Sequence, residues 1–155
     1  MDIKYAKPFI EATINVLSTM AMITPKAKKP YVKNNNKAFG DVSGIVGFTT
    51  SDGLKGVMSI SFSKKCAIHI VKNLLRDDIQ NLLEDVQDAV GEITNMISGQ
   101  ARAKLVKMGI TAQGATPTVI LGTNHTIAHI THDKIIAIPF TTECGDFVVE
   151  FSMNK

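Results

Sequence analysis

One run limits the fold more than any other. From about residue 78 to residue 107 the apolar side chains Val86, Ala89, Val90, Ile93, Ile97 and Ala101 recur at three- and four-residue intervals, the period of an amphipathic helix. Asp77 and Asp78 supply a start and Gly109 a stop. About thirty residues of one helical period in a chain of 155 leave the flanking segments to cover that stripe.

Those flanks divide into two shorter helices and a set of β runs. Near the start, Tyr5, Phe9, Ala12, Val16, Leu17 and Met20 form a helical stripe that ends before Pro25. Ser63 stands as an N-cap before "KKCAIHIVKNLL", whose Cys66, Ala67, Ile70, Val71 and Leu74 share one face. Between these helices, "VSGIVGFT" and "GVMSISF" read as strands joined through Ser51, Asp52 and Gly53, an Asp-Gly turn signal. After the long helix, β-like runs fall around 118 to 122, 126 to 131, 135 to 141 and 147 to 153. About six strands and three helices predict an α/β or α+β fold, a largely antiparallel sheet covered by helices, in one domain over 1–155. Each half starts with a helix followed by hairpin-like strands, which suggests an old duplication.

Composition narrows the class. With 45% hydrophobic and 20% charged residues the chain can bury a real core. The net charge is +3 and aromatics make up 6% without tryptophan, a balance that does not point to nucleic acid. Residues 24–40, "TPKAKKPYVKNNNKAFG", carry five lysines, two prolines and three asparagines; they read as a mobile, solvated loop with one short strand, able to help steer an acidic partner. Cys66 and Cys144 lack metal or redox spacing, so reduced, packed thiols are expected. Asp2, Lys4, Lys7 and Glu11 interrupt the N-terminal apolar run, so neither a leader peptide nor a membrane span is expected, and the protein is read as cytoplasmic.

The long helix has an unusual outer face. With Val86 at the centre of the buried side, a rotation of about 100° per residue places Gln100 and Lys104 with the apolar stripe. It sends Asp88, Glu92, Asn95, Gly99 and Arg102 outward. Glu92 and Asn95, three apart, point the same way and can address one partner together. Gly91 and Gly99 together give up about 2 kcal/mol of helix propensity. Either close packing or access for a partner could offset this. An amide such as Asn95 can hold a water while tolerating a phosphate oxygen, which a carboxylate would repel. Phosphoryl transfer to water needs mainly such positioning when a metal is supplied elsewhere.

The string "DAVGEITNMISGQA", with Asp88, Glu92 and Asn95 as D-x-x-x-E-x-x-N followed by Met96, Ile97, Ser98 and Gly99, resembles the signature helix of the CheC, CheX and FliY family of chemotaxis phosphatases. The family pattern continues to a proline a little over twenty residues later, and Pro117 lies within about one position of it. In the first helix "EATIN" has Ile14 where a second motif would need asparagine, so the chain resembles the single-motif, CheX-like members. The resemblance implies hydrolysis of the aspartyl phosphate of the response regulator CheY. Asn95 would orient the attacking water, Glu92 would pair with the regulator's lysine, and Asp88 and Gly99 would lie against the partner. It also implies that the Mg²⁺ belongs to the regulator, that the protein needs no cofactor of its own, and that it forms a homodimer through sheet edges, which would suit one of the C-terminal strands.

Other readings carry less. "HTIAHITH" would place His125 and His129 on one face of a helix, but its Thr and Ile content favours a strand. Residues four apart on a strand stand about 13 Å from each other, too far to share an ion. His69 reads as a packed or surface histidine. No GxSxG accompanies Ser98. The main rival is non-catalytic: the same helix face used only for docking, as in flagellar-switch relatives.

Overall fold

The structure, a computed structural model, describes residues 5–35, 37–76, 79–122 and 135–154. Three helices, α1 (Ala6–Met20), α2 (Lys64–Leu75) and α3 (Leu82–Val106), cover one face of an eight-stranded sheet. The strands are β1 (Lys26–Ala27), β2 (Tyr31–Lys33), β3 (Val42–Thr50), β4 (Lys55–Phe62), β5 (Ala112–Gly114), β6 (Thr118–Leu121), β7 (Ile135–Thr142) and β8 (Gly145–Asn154). Every pairing is antiparallel, so the expected α+β class holds, with two more strands than the sequence suggested. The run around 126 to 131 lies outside the described residues. Among the described residues no helix is long and apolar enough to cross a membrane.

The sheet runs β1-β7-β8-β4-β3-β5, with β2 also on β7 and β6 also on β3. The hairpins β3–β4 and β7–β8 meet through β4 and β8, in a register that sets Ser59 opposite Glu150. The short strands after α1 pair with β7, in the second half, and those after α3 pair with β3, in the first. Each half thus closes the outer edge of the other, the arrangement expected of a duplicated unit.

Alternation along the strands builds the core. Met58, Ile60 and Phe62 of β4 join Val149 and Phe151 of β8 beneath the helices, all fully buried, each such side chain contributing about 1.5–3 kcal/mol. Phe9 of α1 stacks on Phe151 with centroids 4.4 Å apart, and Phe140 stacks on Phe147 at 4.8 Å. Several alternate positions of β3 and β4 are serines: Ser43 and Ser61 hydrogen-bond at 2.6 Å across the two strands.

Three expectations need correction. The segment 24–40 carries two short strands where one was expected: both hydrogen-bond to β7, and Lys33 Nζ lies 2.7 Å from Glu150 Oε2, with both side chains largely buried. Nothing local announces this, because the carboxylate lies 117 residues away. Cys66 and Cys144 are not separate thiols but a disulfide, Cα atoms 5.0 Å apart, formed where the first turn of α2 meets the β7–β8 turn. A separation of 78 residues hides that proximity from the sequence. The long helix also begins later than expected. Asn81 caps it by accepting from the Glu84 N–H at 3.2 Å, and the Asp85 carboxylate accepts from the Gln80 and Asn81 N–H groups. Asp77 and Asp78 lie outside the described residues. At the other end α3 stops at Val106, and Gly109 takes a φ of +84°, as its role of terminator requires.

Candidate functional site on the outer face of α3

The seat of α3 is set by a glycine. A Cβ on Gly44 of β3 would lie 1.8 Å from Thr94 Oγ1 and 2.9 Å from Thr94 Cβ, so the helix comes within backbone distance of the strand at the residue preceding Asn95. Thr94 is fully buried there and donates its hydroxyl to the Val90 carbonyl at 2.6 Å. The inward stripe is Val86, Ala89, Val90, Ile93, Ile97, Ala101 and Leu105, together with Thr94 and Ser98. Gln100 and Lys104, placed with the core by simple rotation, are instead only half-buried. They reach α1, where Asn15 Nδ2 donates to Gln100 Oε1 at 2.8 Å and Lys104 Nζ pairs with Glu11 Oε2 at 3.1 Å.

That contact engages the acid and the amide of α1. Glu11 and Asn15 of α1 are turned onto α3. The Lys104 hydrogen bond, aided by the charges of Lys104, Lys7 and Lys107, holds the Glu11 carboxyl below its ordinary range against a smaller opposing effect of burial.

On the opposite side of α3, Asp88, Glu92 and Asn95 are exposed and Gly99 and Arg102 half-exposed. All the candidate residues read from the sequence therefore share the solvent face of one 25-residue helix. The site is a ridge, with side chains free to enter a concave partner. The glycines divide its neighbours. A Cβ on Gly91 would touch Val119 Cγ2 of β6 at 3.5 Å, an ordinary contact, and on Gly99 it would meet only Arg102 Nη2 at 3.9 Å. Packing requires neither glycine. Pro117 is half-buried just before β6, the strand that lies beside Gly91.

Sequence reasoning missed Gly44 as the residue that seats the site. Its signal was a lone glycine inside an apolar strand, which marks close approach of another backbone. His69 is exposed on α2 beside Lys65, Lys72 and Glu143, away from α3's outer ridge. His125 and His129 lie outside the described residues. Among the described residues no three His, Cys, Asp or Glu side chains gather as a metal site.

A family model described as chemotaxis phosphatase CheX matches residues 42–141, nearly two thirds of the chain and the whole of α3. The chain belongs to the CheX family. It is 58% identical to a chemotaxis protein CheX from Desulfovibrio desulfuricans, whose crystal structure superposes with a TM-score of 0.93 over 98% of this chain and all of that one. The CheY-P phosphatase CheX of Thermotoga maritima is 26% identical over 123 residues, 79% of this chain and 78% of that protein. A Borrelia burgdorferi CheX, solved in complex with CheY, BeF3 and Mg²⁺, shares the fold at 23% identity with a TM-score of 0.81 over 99% of this chain and all of that one. Asp88, Glu92 and Asn95, the residues singled out in the sequence, fall on the ridge of α3 and are exposed.

Proposed function

We propose that this CheX-family protein hydrolyses the aspartyl phosphate of a CheY-type response regulator, with Asn95 and Glu92 inserted into the regulator's phosphoryl site. One observation carries the reading: Glu92 and Asn95 stand exposed, one turn apart, on a helix whose backbone is pinned at the adjacent Thr94. The family membership and the activity named for the Thermotoga relative support it.

In this mechanism the Asn95 amide accepts from and aligns a water behind the phosphorus. The water oxygen forms the new P–O bond while the bond to the aspartyl oxygen breaks. The regulator regains its carboxylate, and both protons of the water leave on inorganic phosphate. A Mg²⁺ held by the regulator would neutralise the charge that develops. Glu92 would repel phosphate by itself, so it pairs with the regulator's lysine and fixes the approach of the helix. The same reading includes a homodimer joined at a sheet edge. β2 offers an outer strand there, with Tyr31 and Val32 exposed at 48% and 45%.

The test is phosphate release from phosphorylated regulator with catalytic amounts of this protein. Asn95→Ala should abolish the acceleration and leave folding unchanged, and Glu92→Lys should weaken regulator binding far more than Asp88→Ala. An unaltered lifetime of the acyl phosphate with the intact protein refutes the enzymatic reading and leaves a docking module.

A further inference from the structure

We propose that Arg102 is a second anchor of the same ridge, one that grips a carboxylate on the regulator surface beside the phosphoryl site and so fixes the direction in which α3 is laid down. The proposal rests on the phosphatase reading for the identity of the partner.

Arg102 lies seven residues beyond Asn95, about 10 Å along the helix and only about 20° around it. That distance puts it outside the reacting centre but on the same line of contact. Its guanidinium is held in place. Nε donates to Ser98 Oγ at 3.4 Å, and the head lies over Gly114 of β5, where a Cβ would come within 2.8 Å of Cζ and of Nη2. Only a glycine leaves room for the head in that position.

Among the described residues no acid pairs with this cation. The ion pairs among the described residues involve Lys7, Lys33 and Lys104 with Glu11 or Glu150, and none involves Arg102. A half-buried, pre-positioned guanidinium with no ion-pair partner among the described residues is the kind of group that contributes most at an interface, because little rotamer freedom is lost when it binds. Its planar donors match a carboxylate.

The surroundings specify the orientation. Gly99 lies between Asn95 and Arg102 and adds no side chain, so bare backbone connects the two. Asp88 and Glu92 give the first part of the ridge negative charge, and Arg102 gives the last part positive charge. A partner that presents a cation to Glu92 and a carboxylate about 10–15 Å away along the groove fits in one direction only. The reversed orientation would set like charges against each other.

The test uses the full chain and a phosphorylated CheY-type regulator, with steady-state release of phosphate, and titration of the regulator carrying beryllofluoride and Mg²⁺ for binding. Arg102→Gln should raise KM and Kd about tenfold, keep kcat within about twofold, and flatten the fall of kcat/KM with added salt. Gly114→Ala, which keeps the charge but displaces the head, should give a smaller rise in KM, and Arg102→Lys should recover only part of the loss. An unchanged KM and salt dependence in Arg102→Gln overturns the proposal, as does a fall in kcat without a change in KM. Asn95→Ala separates the two ideas: it should lose turnover and keep the wild-type Kd. If the intact protein shows no turnover the phosphatase reading falls, while the titration with Arg102→Gln still decides whether this residue holds the partner.

Discussion

Replacing Gly44 by alanine tests how the site is held, because the added methyl carbon has nowhere to go. It would sit 1.8 Å from Thr94 Oγ1 and 3.3 Å from Cγ2, and 2.9 Å from Thr94 Cβ. Rotating the threonine about χ1 would exchange one branch for another and sacrifice the 2.6 Å bond to Val90, while the Cβ contact would stay. The helix must therefore lift. Overpacking of this kind costs about 1–3 kcal/mol, and the upper part of the range applies because the obstruction sits close to backbone on both sides. Removing a glycine from a strand returns about 0.5–1 kcal/mol, which leaves a net loss of about 2 kcal/mol. For a chain of this size that is a fall in Tm of about 4–8 °C, readable by circular dichroism. Thr94→Ala in the same chain removes Oγ1, the closest atom, and Cγ2, and keeps only the Cβ contact at 2.9 Å. The pair should therefore couple by at least about 1 kcal/mol in a double-mutant cycle. Below its Tm, Gly44→Ala should also lose kcat, since the lifted segment carries Asn95. A Tm within about 1 °C of the wild type, or strictly additive double-mutant energies, would refute the close seating of α3 on β3.

Two further outcomes follow from the same geometry. Gly99→Ala makes only an ordinary contact, 3.9 Å to Arg102 Nη2, so it should stabilise the fold by about 0.5–1 kcal/mol while weakening regulator binding; stability and affinity measured on one sample check this, and unaltered affinity would remove access as the reason for the glycine. Reducing the Cys66–Cys144 disulfide, or replacing it by Ser and Ala, opens a link across 78 residues. The chain-entropy relation gives about 4.5 kcal/mol as a ceiling and typical bridges give about 2–4, so calorimetry with and without reductant should show a clear drop in Tm, and coincident transitions would contradict a formed bridge.

The local features of this protein could be read from its residues, and the distant ones could not. Helical period alone put Asp88, Glu92 and Asn95 outward, because a 25-residue helix averages out errors in the placement of its axis. The same rotation failed at Gln100, where α1 rather than the sheet is the neighbour and a hydrogen bond replaces burial, while Lys104 at the end of the stripe carries its ammonium out to Glu11. The Asp-Gly turn was readable because its chemistry is contained in four residues: Gly53 takes a φ of +92° and its N–H returns to the Thr50 carbonyl at 3.1 Å. Lys33 with Glu150, Cys66 with Cys144 and Arg102 over Gly114 join residues that share no local pattern. Their meeting is decided by the strand order, which the run of helices and strands left open.

The exchange of short strands between the halves has a consequence for synthesis. When residues 42–62 leave the ribosome their hairpin has bare backbone on both sides, since β3 waits for residues 112–121 and β4 for 145–154. At common elongation rates the first partner is roughly 3–12 s away. Throughout that interval two unpaired strand edges are available to a neighbouring nascent chain. The lone glycines of β3, the serines of β4 and the lysine at each end of "KGVMSISFSK" make those edges poor templates, so the residues that later form the seat of the helix also delay a wrong partner.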